Sequence, residues 1–545
     1  MHDAALPSMR VPTSRPVMVR PLKPVSMAQR EKALAATEYN VFAFPADLLT
    51  VDFLSDSGTT TMTDSQWAAL VHGDESYGRN TGYYLLLEAI RDVFERGDAP
   101  HHRFQLILGG CDDVEHLMDE LYLREEAGRF ANGGSQQLKR PNAFLTPQGR
   151  CAEHLLFSTL AERLREADSK GRYTIPNNGH FDTTEANIAA NQLHPVNLFA
   201  ESFQRDFPID QMWSRNPFRG NMDCARLEAL IQHEGADAIP LIYLTITNNT
   251  VAGQPVSMGN IAQVHQIADH YGIPLFFDAC RFAENAWFIQ QFEPGYADAS
   301  IASIVQQMFA HADGFTISFK KDGLANIGGG LFFRDQGCFH QRFSARVDIG
   351  TKLKQKQILT FGNDSYGGLS GRDIMTIAIG LSQVLRPSYL TQRIGQVQDF
   401  AAQLHQAGLP VVLPAGGHAV YLDMDHFFTK SPRQKADFPG VGLCIELIRR
   451  YGIRGCELGP FAFEWDQKSP RQRQSILNLV RFALPRNGYG QEHINYAVAA
   501  LADCYHHPHR IPKMRITRGH DLRLRHFQAG LEPVERTTVP QTLSA

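Results

Sequence analysis

Two lysines, Lys320 and Lys321, stand side by side where the apolar run Phe315–Ser318 ends in "FTISFKKDGLANIGGG", and Asp322 and a glycine cluster follow them. A strand that stops in a pair of amines offers a nucleophile and a base at one place. Two other strand ends carry polar groups of matching use. "IPLIYLTITNN" runs into Asn249, and "IPLFFDACR" places Asp278 at its end with Arg281 close behind. Between them "VSMGNIAQVHQIADHYG" repeats apolar residues at helical spacing and closes on Gly272. The separation suits one right-handed βαβ crossover of about 30 residues. Asn249, Asp278 and, by the same arrangement, Lys321 are therefore expected at the carboxyl edge of one parallel sheet, where open α/β folds bind ligands.

Upstream, "NAFLTPQGRCAEHLLFSTLAERL" reads as a strand end, a Gln148-Gly149-Arg150 turn and a long helix. A helix N-terminus that Gly149 lets a ligand approach, with Arg150 adding charge, is a phosphate seat. A phosphate seat, a carboxylate and a lysine at neighbouring strand ends suit pyridoxal phosphate. The lysine forms a Schiff base, and the aspartate keeps the pyridine nitrogen protonated so that the ring withdraws electrons from a substrate carbanion. Singly, these residues read as readily as a solvated lysine, a helix-capping aspartate and a tight turn. Their order and spacing together favour the cofactor.

Positioning such groups requires short buried strands alternating with amphipathic helices, and that alternation holds from about Leu54 onward, which predicts an α/β fold. The chain has 545 residues, 43% hydrophobic and 20% charged, enough for about two to four domains with a buried core. A net charge of −4 leaves no basic face for nucleic acid. No apolar run approaches the roughly 18–20 residues that span a bilayer. Eight scattered cysteines without a C-x-x-C pair suggest free thiols in a reducing cytoplasm. A Pro- and Arg-rich flexible arm is expected over 1–40 and the start of a small domain over 41–63. A large cofactor-binding domain follows over 64–374, with an insertion or surface subdomain at about 96–141, and a smaller α+β domain over 375–545.

Ten segments now make the sequence recognisable: "LSDSGT", "HGDESY", "PQGRCAEHLL", "HFDTTEAN", "TITNNTVAGQPVSMGN", "FFDACRFAENAWFI", "SFKKDGLANIGGG", "YGGLSGRD", "GGHAVYLD" and "LVRFALPR". From about Leu54 to His526 the chain resembles the β-eliminating lyases, tryptophanase and tyrosine phenol-lyase. The resemblance implies a fold-type-I, aspartate aminotransferase-like large domain with a mostly parallel sheet, a homotetramer, and activation by a monovalent cation such as potassium. It also implies roles. Lys321 carries the Schiff base and takes the α-proton, and Lys320 organises water and charge beside it. Gln148, Gly149, Arg150 and Ser318 hold the phosphate, Phe181 stacks on the ring, Asp278 pairs with the pyridine nitrogen and Arg281 lies nearby. Asn249 contacts the phenolic oxygen and the substrate carboxylate, which Arg481 clamps with Ser55. Tyr77 matches an acid for the leaving carbon, and Gly58, Glu75 and Asn326 match the cation site.

Three positions favour indole over phenol as the leaving group. Phenol-lyases place an arginine in the segment here written "GIRGCELGPF", where this chain has Leu458; Asp182 follows the stacking Phe181; and "LRLRHFQAG" supplies His526. The expected reaction is β-elimination of L-tryptophan to indole, pyruvate and ammonium. A tyrosine, cysteine S-conjugate or modified tryptophan is the alternative substrate, and a non-catalytic protein of the same fold is a remote one. The chain departs from the family at Pro147, where a histidine is usual, at Ala252, where a glycine is usual, at Phe319, where a small residue is usual, and at Gly323.

Overall fold

Seven strands make the central sheet of the computed structural model, which describes residues 20–97, 113–125, 129–200, 218–363, 368–474 and 476–534. They are β1 (Ala143–Thr146), β2 (Thr174–Asn177), β3 (His194–Asn197), β4 (Ile242–Thr245), β5 (Leu275–Asp278), β6 (Gly314–Ser318) and β7 (Gly329–Phe333). Their spatial order is β1-β7-β6-β5-β4-β2-β3. Strands β2 to β6 pair parallel, and β7 runs antiparallel between β1 and β6. The sequences IYLT, LFFD and GFTIS of β4, β5 and β6 are buried throughout, as strands covered by helices on both faces must be.

Helix Met258–His270 makes the crossover from β4 to β5. It starts where the Ser257 hydroxyl accepts the Asn260 backbone N–H, and it buries Ile261, Val264 and Ala268 against the sheet. Strand register aligns Thr245 with Asp278 and Asp278 with Thr316. The chain therefore leaves β4, β5 and β6 at one edge, carrying Asn249, Asp278 and Lys321 with it.

A smaller domain surrounds a three-stranded antiparallel sheet of β8 (Ala419–Asp423), β9 (Cys456–Leu458) and β10 (Leu479–Ala483), with β10 in the middle. Val51–Asp52 pairs parallel with Ile453–Arg454, so the chain before the large domain completes the small one. Helix Pro387–Gln406 joins the two cores. Leu390 and Ile394 pack into the large one, and Val397, Phe400, Ala401 and Leu404 into the small one.

Several expected boundaries shift. Helix Gly371–Val384, assigned to the small domain from 375 onward, buries Ile374, Met375, Ile377, Ala378 and Leu381 in the large core against helices Asp64–His72 and Thr81–Arg91. Its apolar residues surround the axis, which only a core position satisfies. Of the expected arm, residues 1–19 lie outside the described residues. Residues Met27–Ala36 form a helix begun by a Ser26–Gln29 capping box, with Leu34 buried against Val441, Ile445 and Ile448. The stretch 96–141 is only partly described. Within it Leu121 and Phe130 enter the large core, where Phe130 meets the Phe315 ring at 5.1 Å, so this part is core and no surface subdomain. The seven described cysteines are free, and Cys111 lies outside the described residues. Among the described residues no helix is long and apolar enough to cross a membrane.

Candidate active site

The turn at Gln148 opens the 19-residue helix Gly149–Ala167, and no side chain caps its first N–H groups. Backbone packs tightly here. A Cβ on Gly149 would lie 2.8 Å from Ser318 Cβ, and one on Gly329 would lie 2.5 Å from the Gly149 nitrogen. The glycine cluster thus lets β7 pass directly behind the seat. Three cations converge around it. Burial lowers the Lys320 ammonium below its ordinary range, and Lys321 and Arg150 lower it further. Uncapped helix donors with three clustered cations make a site for a dianion. Phe181 stands just before helix Asp182–Ala190, half-buried.

Phe319 does not press on this site. It is fully buried in the large core, with its ring 6.4 Å from Phe332 and alongside Gly328 and Gly330. A Cβ on Gly323 would lie 2.5 Å from the Phe319 carbonyl oxygen and 2.6 Å from its Cα, so the unusual glycine lets the turn pass close against the backbone at 319.

Asp278 ends β5 and accepts the Cys280 backbone N–H at 3.4 Å. Beside it lies a carboxyl that sequence reasoning missed. Glu153, one turn into the seat helix, is buried, and burial together with the Asp278 charge pushes its pKa up to about 8. Thr184 Oγ1 donates to its Oε1 at 2.6 Å. The signal was the spacing in "RCAE", which sets Glu153 on the helix face above Arg150.

The second half of the site comes from the small domain. Arg481 in β10 gives Nη1 to Asn249 Oδ1 at 3.2 Å and Nη2 to the Leu54 carbonyl at 2.9 Å, next to half-buried Ser55; its Nε is buried without a hydrogen-bond partner among the described residues. Asn249 Oδ1 also receives His418 Nε2 at 2.9 Å and the Tyr421 hydroxyl at 2.8 Å. Both donors sit in "GGHAVYLD", and sequence reasoning gave neither a role.

Asp182 and His526, 344 positions apart, meet at 3.1 Å between Oδ2 and Nε2, both buried. Phe42 tilts over the His526 ring at 5.5 Å and the Phe527 ring at 4.7 Å. Phe42 also packs on the cluster holding Leu458, Cys456, Tyr421 and Ala252. The Arg150 guanidinium stands 5.6 Å from the Phe527 ring, which joins this aromatic wall to the phosphate seat.

Arg281 is committed elsewhere. Its Nε and Nη2 grip Asp56 at 3.0 and 2.8 Å, and Asp56 is shared with Arg486 at 3.0 Å. Arg486 reaches Glu284 and Asp322 at 2.8 Å each, and Arg393 closes on Glu284 at 3.4 Å. Although burial pushes the Asp56 carboxyl up, the paired Arg281 and Arg486 guanidiniums hold it well below its usual range. This network of three acids and three arginines was not legible in the sequence, because its members come from five separate segments.

The expected cation ligands do not assemble as a set. Asn326 Nδ2 donates to the Gly58 and Thr60 carbonyls at 3.1 and 2.9 Å, but the Glu75 carboxylate pairs with Arg372. Tyr77, between helices Asp64–His72 and Thr81–Arg91, is 73% exposed.

A mostly parallel sheet, a lysine and a carboxylate at adjacent strand ends and an uncapped helix facing clustered cations define a fold-type-I pyridoxal-phosphate enzyme. The solved structures of serine palmitoyltransferase from S. paucimobilis and Bna3p from Saccharomyces cerevisiae share the fold. Their TM-scores are 0.51 and 0.53, each at 12% identity, covering 88% and 90% of this chain and 96% and 100% of theirs. The chain belongs to the β-eliminating lyase family, whose sequence model matches residues 52–500. It is 37% identical to the "Probable tryptophanase" of Halobacterium salinarum, over 95% of this chain and 98% of that one. It is 36% identical to the tryptophanase of Salinibacter ruber, over 94% of each, and to the tyrosine phenol-lyase of Intrasporangium calvum, over 88% and 86%. The protein is thus a pyridoxal-phosphate-dependent lyase. The residues present fit that cofactor: Lys321 would supply the amine, Asp278 the carboxylate, and the glycine-backed turn the phosphate donors.

Proposed function

We propose that the enzyme cleaves L-tryptophan by β-elimination to indole, pyruvate and ammonium. The observation that carries this reading is the buried Asp182–His526 pair at 3.1 Å, walled by Phe42 and Phe527, with aliphatic Leu458 in the adjoining cluster. An aromatic enclosure with one acidic pair suits a flat apolar leaving group that must be protonated on carbon. The relatives alone do not choose between indole and phenol, since both activities appear among their names at similar identity.

In this reading Gln148, Gly149, Arg150 and Ser318 would hold the cofactor phosphate, Phe181 would stack on the ring, Asp278 would keep the ring nitrogen protonated, and Asn249 would contact the phenolic oxygen. The cofactor, once bound, supplies the electron sink for negative charge at Cα. Arg481 binds the α-carboxylate with Ser55 and Asn249, orienting the Cα–H bond toward Lys321, which removes that proton. Lys320 raises the local positive charge and orders water. The His526–Asp182 pair or Tyr77 delivers a proton to indole C3, and the bond to Cβ breaks as indole leaves. Water then releases the three-carbon remainder as pyruvate and ammonium. Closure of the small domain over the edge excludes bulk water while charge is displaced. A monovalent cation at Gly58 and Asn326, with Glu75 recruited from its Arg372 pair, and a homotetramer in the cytoplasm complete the proposal.

The test is purified enzyme with pyridoxal phosphate and potassium, given L-tryptophan, with indole and pyruvate assayed in parallel. Equal amounts of both, abolished by Lys321→Ala, support the reading. Pyruvate from L-tyrosine or a cysteine S-conjugate, with no indole from L-tryptophan, overturns it.

A further inference from the structure

We propose that Tyr421, acting with His418, is a positioning residue that locks the Asn249 side chain with its NH2 toward the ligand and so determines how tightly the site holds an amino acid's carboxylate. The proposal rests on the reading that Arg481 and Asn249 face that carboxylate.

The amide orientation follows from its neighbours. Arg481 can only donate, so the Asn249 atom 3.2 Å from its Nη1 must be the oxygen. The same oxygen lies 2.9 Å from His418 Nε2, which therefore carries the imidazole proton. Burial, and next the Arg281 charge, hold His418 well below its ordinary range, so it has one N–H, and its Nδ1 is correspondingly left without a partner. The ring has little room to swing away: a Cβ on Gly253 would sit 2.9 Å from His418 Cε1.

Tyr421 supplies the shortest of the three bonds, 2.8 Å to Asn249 Oδ1, and its hydroxyl also lies 3.3 Å from the Asn249 backbone carbonyl. In the antiparallel ladder Tyr421 is the direct partner of Arg481, so one face of the small sheet presents both side chains to Asn249. With Oδ1 occupied by Tyr421 and His418, the longer Arg481 bond is a shared one. The partners of Arg481 here, the Asn249 amide oxygen, the Leu54 carbonyl and the neighbouring Cys456 thiol, are uncharged, so none neutralises its positive charge. The donors left to meet a carboxylate are Arg481 Nε, buried without a hydrogen-bond partner among the described residues, and Asn249 Nδ2.

Removing the hydroxyl takes away the shortest of the three bonds on the Asn249 oxygen and leaves that oxygen to His418 and Arg481. The amide then turns toward Arg481, pulling both carboxylate donors off their line. Tyr421→Phe keeps the ring in the cluster with Leu458 and Ala252, so folding is preserved.

The deciding experiment titrates holoenzyme with L-alanine and with L-alaninamide, following the cofactor's visible absorbance. Neither probe has a leaving group, so the measurement is binding and not turnover. Tyr421→Phe is expected to weaken L-alanine about five- to tenfold, the worth of one hydrogen bond, and L-alaninamide less than twofold, with the thermal midpoint unchanged. His418→Gln, which keeps an N–H donor, is expected to fall between wild type and Tyr421→Phe. An equal loss for both probes, or no loss for L-alanine, overturns the proposal. A wild type that binds L-alanine but makes no indole from L-tryptophan refutes the substrate reading while the alanine-to-alaninamide ratio still decides this one. A wild type that binds neither probe overturns both.

Discussion

Arg486 Nη2 lies 2.8 Å from Asp322 Oδ1, so a guanidinium just beyond β10 of the small domain holds the residue that follows Lys321. The same guanidinium also serves Asp56 and Glu284, and all four groups are almost wholly buried. Removing one member of a buried pair leaves an uncompensated charge, which costs about 3–5 kcal/mol. Arg486→Met is therefore expected to lower the denaturation midpoint clearly, and to loosen Lys321 as well. Arg486→Lys, with charge but no fork, recovers part of the loss. Denaturant titrations of the three proteins check this; equal midpoints would sink the idea that the network ties the domains together.

The Asp182–His526 pair predicts dependence on the leaving group. Asp182→Asn and His526→Phe are each expected to lower kcat/KM for L-tryptophan by about 10²–10⁴, the usual worth of a positioned acid or base. A cysteine S-conjugate leaves as a stable thiolate and needs no proton on carbon, so its rate should change less than about tenfold. Parallel kcat/KM measurements with both substrates decide; equal losses would show that the pair supports structure alone.

Glu153 makes apo-protein stability depend on pH in a definite direction. Its folded-state pKa, about 8, lies above the ordinary 4.5, so the folded chain binds this proton more tightly than the unfolded chain does. The contribution of this group to stability is then present below about pH 4.5 and is lost as pH rises toward 8, at no more than about 1.4 kcal/mol per pH unit. Glu153→Gln keeps the hydrogen bond from Thr184 without the titration. Unfolding of apo wild type and variant at pH 5.5 and pH 8.5 should show the variant gaining relative to wild type at the higher pH. A constant difference would mean that Glu153 is ionised at both.

Tyr77, 73% exposed, cannot deliver a proton into a water-excluded pocket unless another surface covers it. The proposed homotetramer would provide that surface. Specific activity is expected to fall on dilution through the dissociation range, and Tyr77→Phe to lower kcat without moving that range. Sedimentation alongside activity checks it, and a fully active monomer would exclude Tyr77 as the acid.

Legibility in the sequence followed the range of the physics. The alternation of buried strands with amphipathic helices, and the polar residue at each strand end, are local signals. They sufficed for the α/β class and for bringing Asn249, Asp278 and Lys321 to one edge, since parallel strands joined by right-handed crossovers leave little choice. Resemblance added Arg481 and the Asp182–His526 pair, which no spacing rule could connect.

Other features depended on packing. Residues 27–36 form a helix because Leu34 finds an apolar surface on Pro439–Tyr451, more than four hundred positions away. Phe319 turns into the core beside Gly328 and Gly330, which leave room for its ring. The Asp56–Arg486 network, the raised Glu153 carboxyl and the donors gathered on Asn249 all require charges and donors from distant segments to share one dry volume. By itself the sequence determined the elements and the kinds of chemistry at their ends; only the tertiary structure decided which groups share a proton or a charge, because burial and distance set those energies and neither is a property of the chain taken in order.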